Sequence, residues 1–254
     1  MQLFYSPDIT PSALCTLDPE ESRHAVRVLR MRQGDPIDVT DGRGALHHCT
    51  IVEASEKGCV VQPLTSDLRP PTSDLQPPTS NLQPPPPALH LAVAPTKNPS
   101  RMEWLVEKAV EMGVGDITLL RCDRSERSFL KTERLQKLVV SAMKQSLRTV
   151  LPAIGEAVVL RDWLHSKFKI QNSELKLIAH CEAGQPRTPL ADLLEPGRPA
   201  TILIGPEGDF SAEEIALALE LGFRPVSLGP SRLRTETAAL YAVAAFNLIN
   251  DRTL

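Results

Sequence analysis

Apolar positions along this chain recur with two different periods, separated by a stretch that has neither. Up to residue 64 they come as short runs, Pro36–Thr40, Leu46–Ala54 and Gly58–Gln62, and Asp41-Gly42 is a hairpin-turn signal between the first two. One helix is predicted in this part. Asp18 to Leu29 opens with an acidic first turn and then sets Ala25, Val28 and Leu29 on one face. A small β-barrel closes several short strands without leaving exposed edges, so this segment reads as mostly β with one helix.

From residue 88 the pattern changes to strand and helix in alternation. Leu89–Ala94, Asp116–Leu120, Leu175–Ala179, Thr201–Ile204 and Pro225–Leu228 read as strands. Between them, Met102–Met112 has helical period and ends at Gly113. Thr132–Arg148 carries Leu135, Leu138, Val139, Ala142 and Ser146 on one stripe. Ser211-Ala-Glu-Glu214 is a capping box opening a helix that stops at Gly222. Thr235–Asn250 closes the chain, with Ala238, Ala242, Ala245, Phe246 and Ile249 facing inward. Such alternation predicts an α/β domain with a mainly parallel sheet.

Residues 65–87 break both periods. They hold three near-copies of seven residues, Thr-Ser-Asp-Leu-Arg-Pro-Pro, Thr-Ser-Asp-Leu-Gln-Pro-Pro and Thr-Ser-Asn-Leu-Gln followed by four prolines. Each proline removes a backbone donor and fixes φ, and one leucine per repeat builds no core, so an extended linker is expected. The predicted organisation is 1–64, a linker over 65–87, and 88–254.

Composition narrows the class. The 254 residues carry 28 Lys+Arg against 31 Asp+Glu, a formal charge of −3, with 42% hydrophobic residues, which excludes wholesale disorder. No apolar run approaches the roughly 18–20 residues of a membrane span, and residues 1–8 resemble no secretory signal. The five cysteines (Cys15, Cys49, Cys59, Cys122, Cys181) are scattered and never form CxxC. Neither a disulfide framework nor a thiolate metal site is expected, and a cytoplasmic location is. The near-neutral total hides two basic patches. Arg23, Arg27, Arg30 and Arg32 lie with His24 in a stretch without an acid, and Arg121 to Arg148 holds eight basic residues against three acidic ones. Local positive charge of this kind fits either solvated helix faces or phosphate contacts with a structured nucleic acid.

Ligands of open α/β sheets bind at the carboxyl ends of strands. Two loops there are unusual. Leu203-Ile-Gly-Pro-Glu-Gly-Asp-Phe210 runs from a strand to the capped helix, and Leu228-Gly-Pro-Ser-Arg-Leu-Arg-Thr-Glu-Thr-Ala238 again joins strand, glycine and helix. Their glycines permit tight turns and close backbone approach to a ligand. Neither is GxGxxG or GxxxxGK, which argues against dinucleotide and P-loop sites.

These two loops resemble the C-terminal signature of SPOUT-class RNA methyltransferases, and more closely that of the RsmE family, which methylates N3 of a uridine in 16S rRNA. Glu21-Ser-Arg-His24, Val28-Leu-Arg30 and Gly34-Asp35 resemble that family's N-terminal PUA-like barrel. Lys97, Met102-Glu-Trp104, Glu107-Lys-Ala109, Glu111-Met-Gly113, Gln145-Ser-Leu-Arg148 and Pro152 match its internal motifs. Asp209 stands where the pattern has a second glycine, Lys144 where it has Glu, Ser231-Arg232 where a hydrophobic residue is usual, and the heptads are an addition.

The resemblance implies a parallel α/β sheet with a C-terminal trefoil knot, a homodimer, S-adenosylmethionine as cofactor and 16S rRNA or the small subunit as partner, with no metal and no membrane. It places the cofactor against His180, Ile204, Gly205, Pro206, Glu207, Gly208, Leu228, Gly229, Leu233 and Thr235. Arg234 is the candidate to stabilise a developing uracil anion, while Glu236 is either a base or an acid near a helix N-terminus. RNA contacts are expected from Arg23, His24, Arg27, Arg30, Arg32, Arg124, Arg127, Gln145 and Arg148. The alternatives are a SPOUT enzyme acting on another RNA and a non-catalytic RNA-binding assembly factor.

Overall fold

The structure is a computed structural model that describes residues 2–64, 88–126, 131–168, 174–182 and 184–250. The heptad linker and Arg127 lie outside the described residues. The chain divides into two units, Met1–Leu82 with Val140–Leu151, and Gln83–Val139 with Pro152–Leu254.

In the first unit, β1 (Leu3–Tyr5), β2 (Cys15–Thr16), β3 (Pro36–Thr40), β4 (Leu46–Glu53) and β5 (Val60–Pro63) form one sheet in the order β1-β3-β4-β5-β2. This curled half-barrel is the observed form of the expected barrel. Phe4, Leu17, Ala25, Val39, Cys49, Ile51, Cys59 and Val61 fill its interior. The cysteines there are buried and free, and burial raises the Cys49 thiol to about 12, which keeps it protonated and inert.

The predicted helix splits. Asp18 caps α1 (Pro19–Arg23) by accepting from the backbone N–H of Glu20 and Glu21, but the next turn, His24–Val28, is a π-helix. The wider turn leaves Val28 and Leu29 exposed, so the apolar stripe read from the sequence only half-buries.

Val140–Leu151 joins this unit although the linear reading placed it in the other. The carbonyl of Thr149 accepts from Gly44 N–H and the Thr40 hydroxyl, and Leu151 N–H donates to Gly42. Lys144 forms an ion pair with the buried Glu21. Burial pushes the Glu21 carboxyl up, and the Lys144 ammonium opposes that shift. The departure to lysine at 144 therefore supplies the partner a buried carboxylate requires.

The second unit is an all-parallel sheet of β6 (Leu89–Val93), β7 (Asp116–Arg121), β8 (Ala153–Ile154), β9 (Val158–Val159), β10 (Leu175–Ala179), β11 (Thr188–Pro189), β12 (Ala200–Ile204) and β13 (Arg224–Ser227). Its order is β11-β13-β10-β12-β6-β7-β8, with β9 beside β7. The helices are α2 (Pro99–Glu111), α3 (Thr132–Gln145, which runs on into the first unit), α4 (Leu160–Lys167), α5 (Leu190–Leu193), α6 (Ala212–Glu220) and α7 (Thr235–Asn250).

Ala92, Ile178 and Leu203 pack against Leu160 and Leu164 of α4, and Ile215 and Ala218 of α6, on one face. The alternate residues Leu91, Val93, Ile202 and Ile204 point to the other face, which carries α7 and α2. Burial on both faces explains why these strands read as continuous apolar runs.

The capping box at α6 forms as predicted. Ser211 accepts from Glu214 N–H while Glu214 accepts from Ser211 N–H. Glu214, buried to 1% exposure, also accepts from Asp123 N–H, and the Ser211 hydroxyl donates to Asp123. Ser211→Ala is expected to cost about 1–2 kcal/mol, read as a lower midpoint of urea unfolding with an unchanged slope.

Among the described residues, no helix is long and apolar enough to cross a membrane, and no group of three His, Cys, Asp or Glu is placed to hold a metal ion.

Candidate active site

Strand β10 sits between β13 and β12, so the chain emerging from the carboxyl ends of all three meets at one place. There the loops after Ala179, Ile204 and Ser227 enclose a cavity of about 410 Å³. That size and its mixed apolar and polar wall are those of a site for a drug-sized or cofactor-sized molecule.

Of the predicted cofactor residues, His180, Ile204, Gly205, Pro206, Glu207, Leu228, Gly229, Leu233 and Thr235 line this cavity, as does Arg234. The two glycine loops are joined directly, since the buried Thr235 hydroxyl donates to the Gly205 carbonyl at 3.1 Å. A Cβ on Gly205 would stand 3.1–3.3 Å from the Phe210 ring and backbone, so even the smallest side chain would require Phe210 to give by a few tenths of an ångström. Gly229 is required for a different reason: its φ of +110° is glycine territory although the surrounding space is open.

Two predicted residues lie elsewhere. Gly208 is not part of the cavity wall. A Cβ there would meet Arg124 at 3.3 Å, and its carbonyl accepts from the Arg124 guanidinium at 3.3 Å. Glu236 is also off the wall, 7% exposed in the first turn of α7, with Arg101 at 3.6 Å. Of the two roles open to Glu236, this geometry is that of the acid beside a helix N-terminus.

The structure adds wall residues that the sequence did not mark. Cys181 and Arg187 follow β10, and Arg187 donates to the His180 carbonyl at 2.6 Å. His180 is 3% exposed and accepts from Glu182 N–H at Nδ1, and burial lowers its pKa, so it is neutral near pH 7. Asp209, noted only as a departure from a glycine pattern, has φ +63° and also lines the cavity. The one signal available was the departure itself.

In the first unit, Arg23, Arg27, Arg30 and Arg32 are all exposed around the exposed Val28 and Leu29. His24 is half-buried with its ring 5.7 Å from that of Phe4, and burial holds its pKa below the ordinary imidazole value. It contributes packing here rather than charge. Gln145 is exposed and Arg148 half-buried where α3 ends, with Leu147 at φ +57°.

Residues 83–247 match the family model of an RNA methyltransferase domain, and residues 17–64 that of an RNA methyltransferase PUA domain. The ribosomal RNA small subunit methyltransferase E of Synechocystis is 30% identical, over 98% of this chain and 77% of its own. The chain belongs to the family of ribosomal RNA small subunit methyltransferase E.

Solved structures agree. A probable rRNA methyltransferase from Porphyromonas gingivalis has 38% identity and a TM-score of 0.84, with both chains covered completely. The small subunit methyltransferase E of Neisseria gonorrhoeae, solved with bound S-adenosyl methionine, has 28% identity and a TM-score of 0.76, with 98% of each chain covered.

Proposed function

We propose that this protein transfers a methyl group from S-adenosylmethionine to N3 of a uridine in 16S rRNA of the small ribosomal subunit. The observation that carries the reading is the cavity formed where the loops after β10, β12 and β13 meet, with Gly205 and Gly229 shaping it and Arg234 at its wall. Backbone-rich glycine turns suit an adenosine and a methionine chain, which offer many hydrogen-bonding edges and no phosphate. We also assign a trefoil threading to the two loops, supported by the Thr235–Gly205 link that locks one against the other.

The bound cofactor supplies the electrophilic methyl group. The chain's own residues then orient the base, keep water out and manage charge. The uracil imide proton must leave before N3 attacks. With a pKa roughly two units above neutral, that ionisation costs about 2.7 kcal/mol. Arg234 stabilises the resulting anion: its guanidinium makes no ion pair among the described residues and is free to take a ligand's charge.

Arg23, Arg27, Arg30, Arg32 and Arg124 contact the rRNA backbone, and Gln145 and Arg148 lie toward the target segment. A second copy packs on the α2–α7 face, where Trp104, Met112, Tyr241 and Leu248 are exposed apolar side chains. The enzyme works in the cytoplasm, where its substrate is made.

The test is to incubate the purified protein with labelled S-adenosylmethionine and unmodified small subunits or free 16S rRNA, then map the product by mass spectrometry. The expected result is a single N3-methyluridine, made by a protein that sediments at twice the chain mass. Cofactor binding with methyl on another RNA or another atom would move the reading to a different SPOUT enzyme. Absence of cofactor binding would leave an RNA-binding assembly factor.

A further inference from the structure

Asp209 occupies a costly position. Its φ of +63° lies in the left-handed region, where glycine is unstrained and a side chain costs on the order of 1 kcal/mol. Its carboxylate is half-buried, accepting from Cys181 N–H at 2.7 Å through Oδ2 and from its own neighbour Phe210 N–H at 2.9 Å through Oδ1. These bonds span two of the three loops that build the cavity, and Asp209 and Cys181 both line it. An ionised carboxylate offers about four acceptor positions, and two are taken.

The charge around it is unbalanced in a particular way. No cation of the protein pairs with Asp209 among the described residues, and the cavity's Arg232 and Arg234 have no anionic partner there either. Glu207, the other wall carboxylate, also accepts from a backbone N–H, that of Lys97 at 2.9 Å, but it is exposed to solvent where Asp209 is half-buried. The wall thus holds a half-buried carboxylate without a cationic partner, and three arginines, Arg187, Arg232 and Arg234, that form no ion pair among the described residues. A ligand carrying an ammonium answers the carboxylate, since a half-buried charge without a counter-ion is costly until one arrives, whereas Arg232 and Arg234 are exposed and solvated.

We propose that the Asp209 carboxylate binds the cationic amino group at the amino-acid end of the cofactor. This rests on the S-adenosylmethionine reading above and goes beyond it by naming the residue that selects the amino-acid end. Two backbone N–H groups hold the carboxylate in place, and a charge-assisted hydrogen bond to the ammonium completes its set. A glycine at this position, which the backbone prefers, leaves the ammonium without that partner.

The test uses three titrations on the full-length protein and on Asp209→Asn and Asp209→Gly. S-adenosylmethionine and S-adenosylhomocysteine carry the amino group; 5′-methylthioadenosine keeps the adenosine and thioether but lacks it. Asparagine tolerates positive φ and keeps the side chain's size, but its Nδ2 cannot accept, so it removes the charge together with one of the two backbone bonds, and methylthioadenosine reports whether that loss disturbs the cavity. The expected result is about a 10- to 100-fold loss of affinity for the two amino-acid ligands in both variants, with methylthioadenosine affinity unchanged. That unchanged value shows the cavity intact. Equal loss for all three ligands overturns the proposal in favour of a purely loop-holding role, and so does no loss for any. If the unmodified protein binds none of the three, the cofactor reading itself fails, and with it this assignment.

Discussion

Replacing Arg234 with alanine is expected to lower the rate of methyl transfer by about a hundredfold or more, on the scale of removing one preorganised charge-stabilising donor. Affinity for S-adenosylmethionine should change by less than about threefold, because the contacts proposed for the cofactor are the glycine-loop backbone and Asp209, not the Arg234 side chain. The split follows from where Arg234 sits. It lines the cavity immediately before α7, and its own carbonyl accepts from Ala238 N–H at 2.8 Å, so the first helical turn fixes its backbone. Its side chain is exposed and has no carboxylate partner among the described residues. Glu236, two residues on, is instead buried and faces Arg101, so the same change at 236 should show as lost stability. Single-turnover rates at saturating cofactor, with a separate calorimetric titration, separate the two effects. A rate within a few-fold of the unmodified protein would sink the role given to Arg234.

Gly205→Val is expected to abolish saturable cofactor binding, a loss of at least about a hundredfold. The Cβ alone would lie 3.1–3.3 Å from Phe210, which is fully buried in the core shared by α4 and α6 and has no room to retreat. The two further methyl groups must then enter the cavity or displace the loop whose carbonyl receives Thr235. Overpacking of this kind also costs about 1–3 kcal/mol of stability. Gly205→Ala should fall between, since a neighbour has to give by only a few tenths of an ångström. Gly155→Ala is the control: nothing lies within 4 Å of a Cβ there, and it should change neither binding nor unfolding. Full binding by the valine variant would show that the cavity wall is not where the glycine loop places it.

The glycine loops were legible because their residues are chemically restricted. Gly229 marks a backbone angle that other residues avoid, and Ser211 with Glu214 marks a helix start through its own hydrogen bonds. Strands β6, β10, β12 and β13 were legible for a related reason, being short apolar runs bounded by turns.

Elements whose signals are weak were missed. Strands β8, β9 and β11 have two residues each, and α5 has four, too few to show a period. Helix α3 was read three residues too long because it ends with Leu147 in the left-handed conformation, where glycine is the usual marker. The π-turn at His24–Val28 leaves no imprint on an apolar stripe that fits an α-helix equally well.

The sequence by itself determined the class of each segment, the family and two of the loops that line the cavity, because these depend on local hydrogen bonds, turn geometry and apolar period. Only the tertiary structure decided which loops share a wall. Strand order is set by long-range pairing, and nothing local states that β10 lies between β13 and β12, bringing Cys181 and Arg187 beside Gly205. The same holds for partners distant in sequence. Lys144 meets Glu21, Thr235 meets Gly205 and Asp209 meets Cys181 because burial forces each polar group to find what completes it, and the fold alone decides what is within reach.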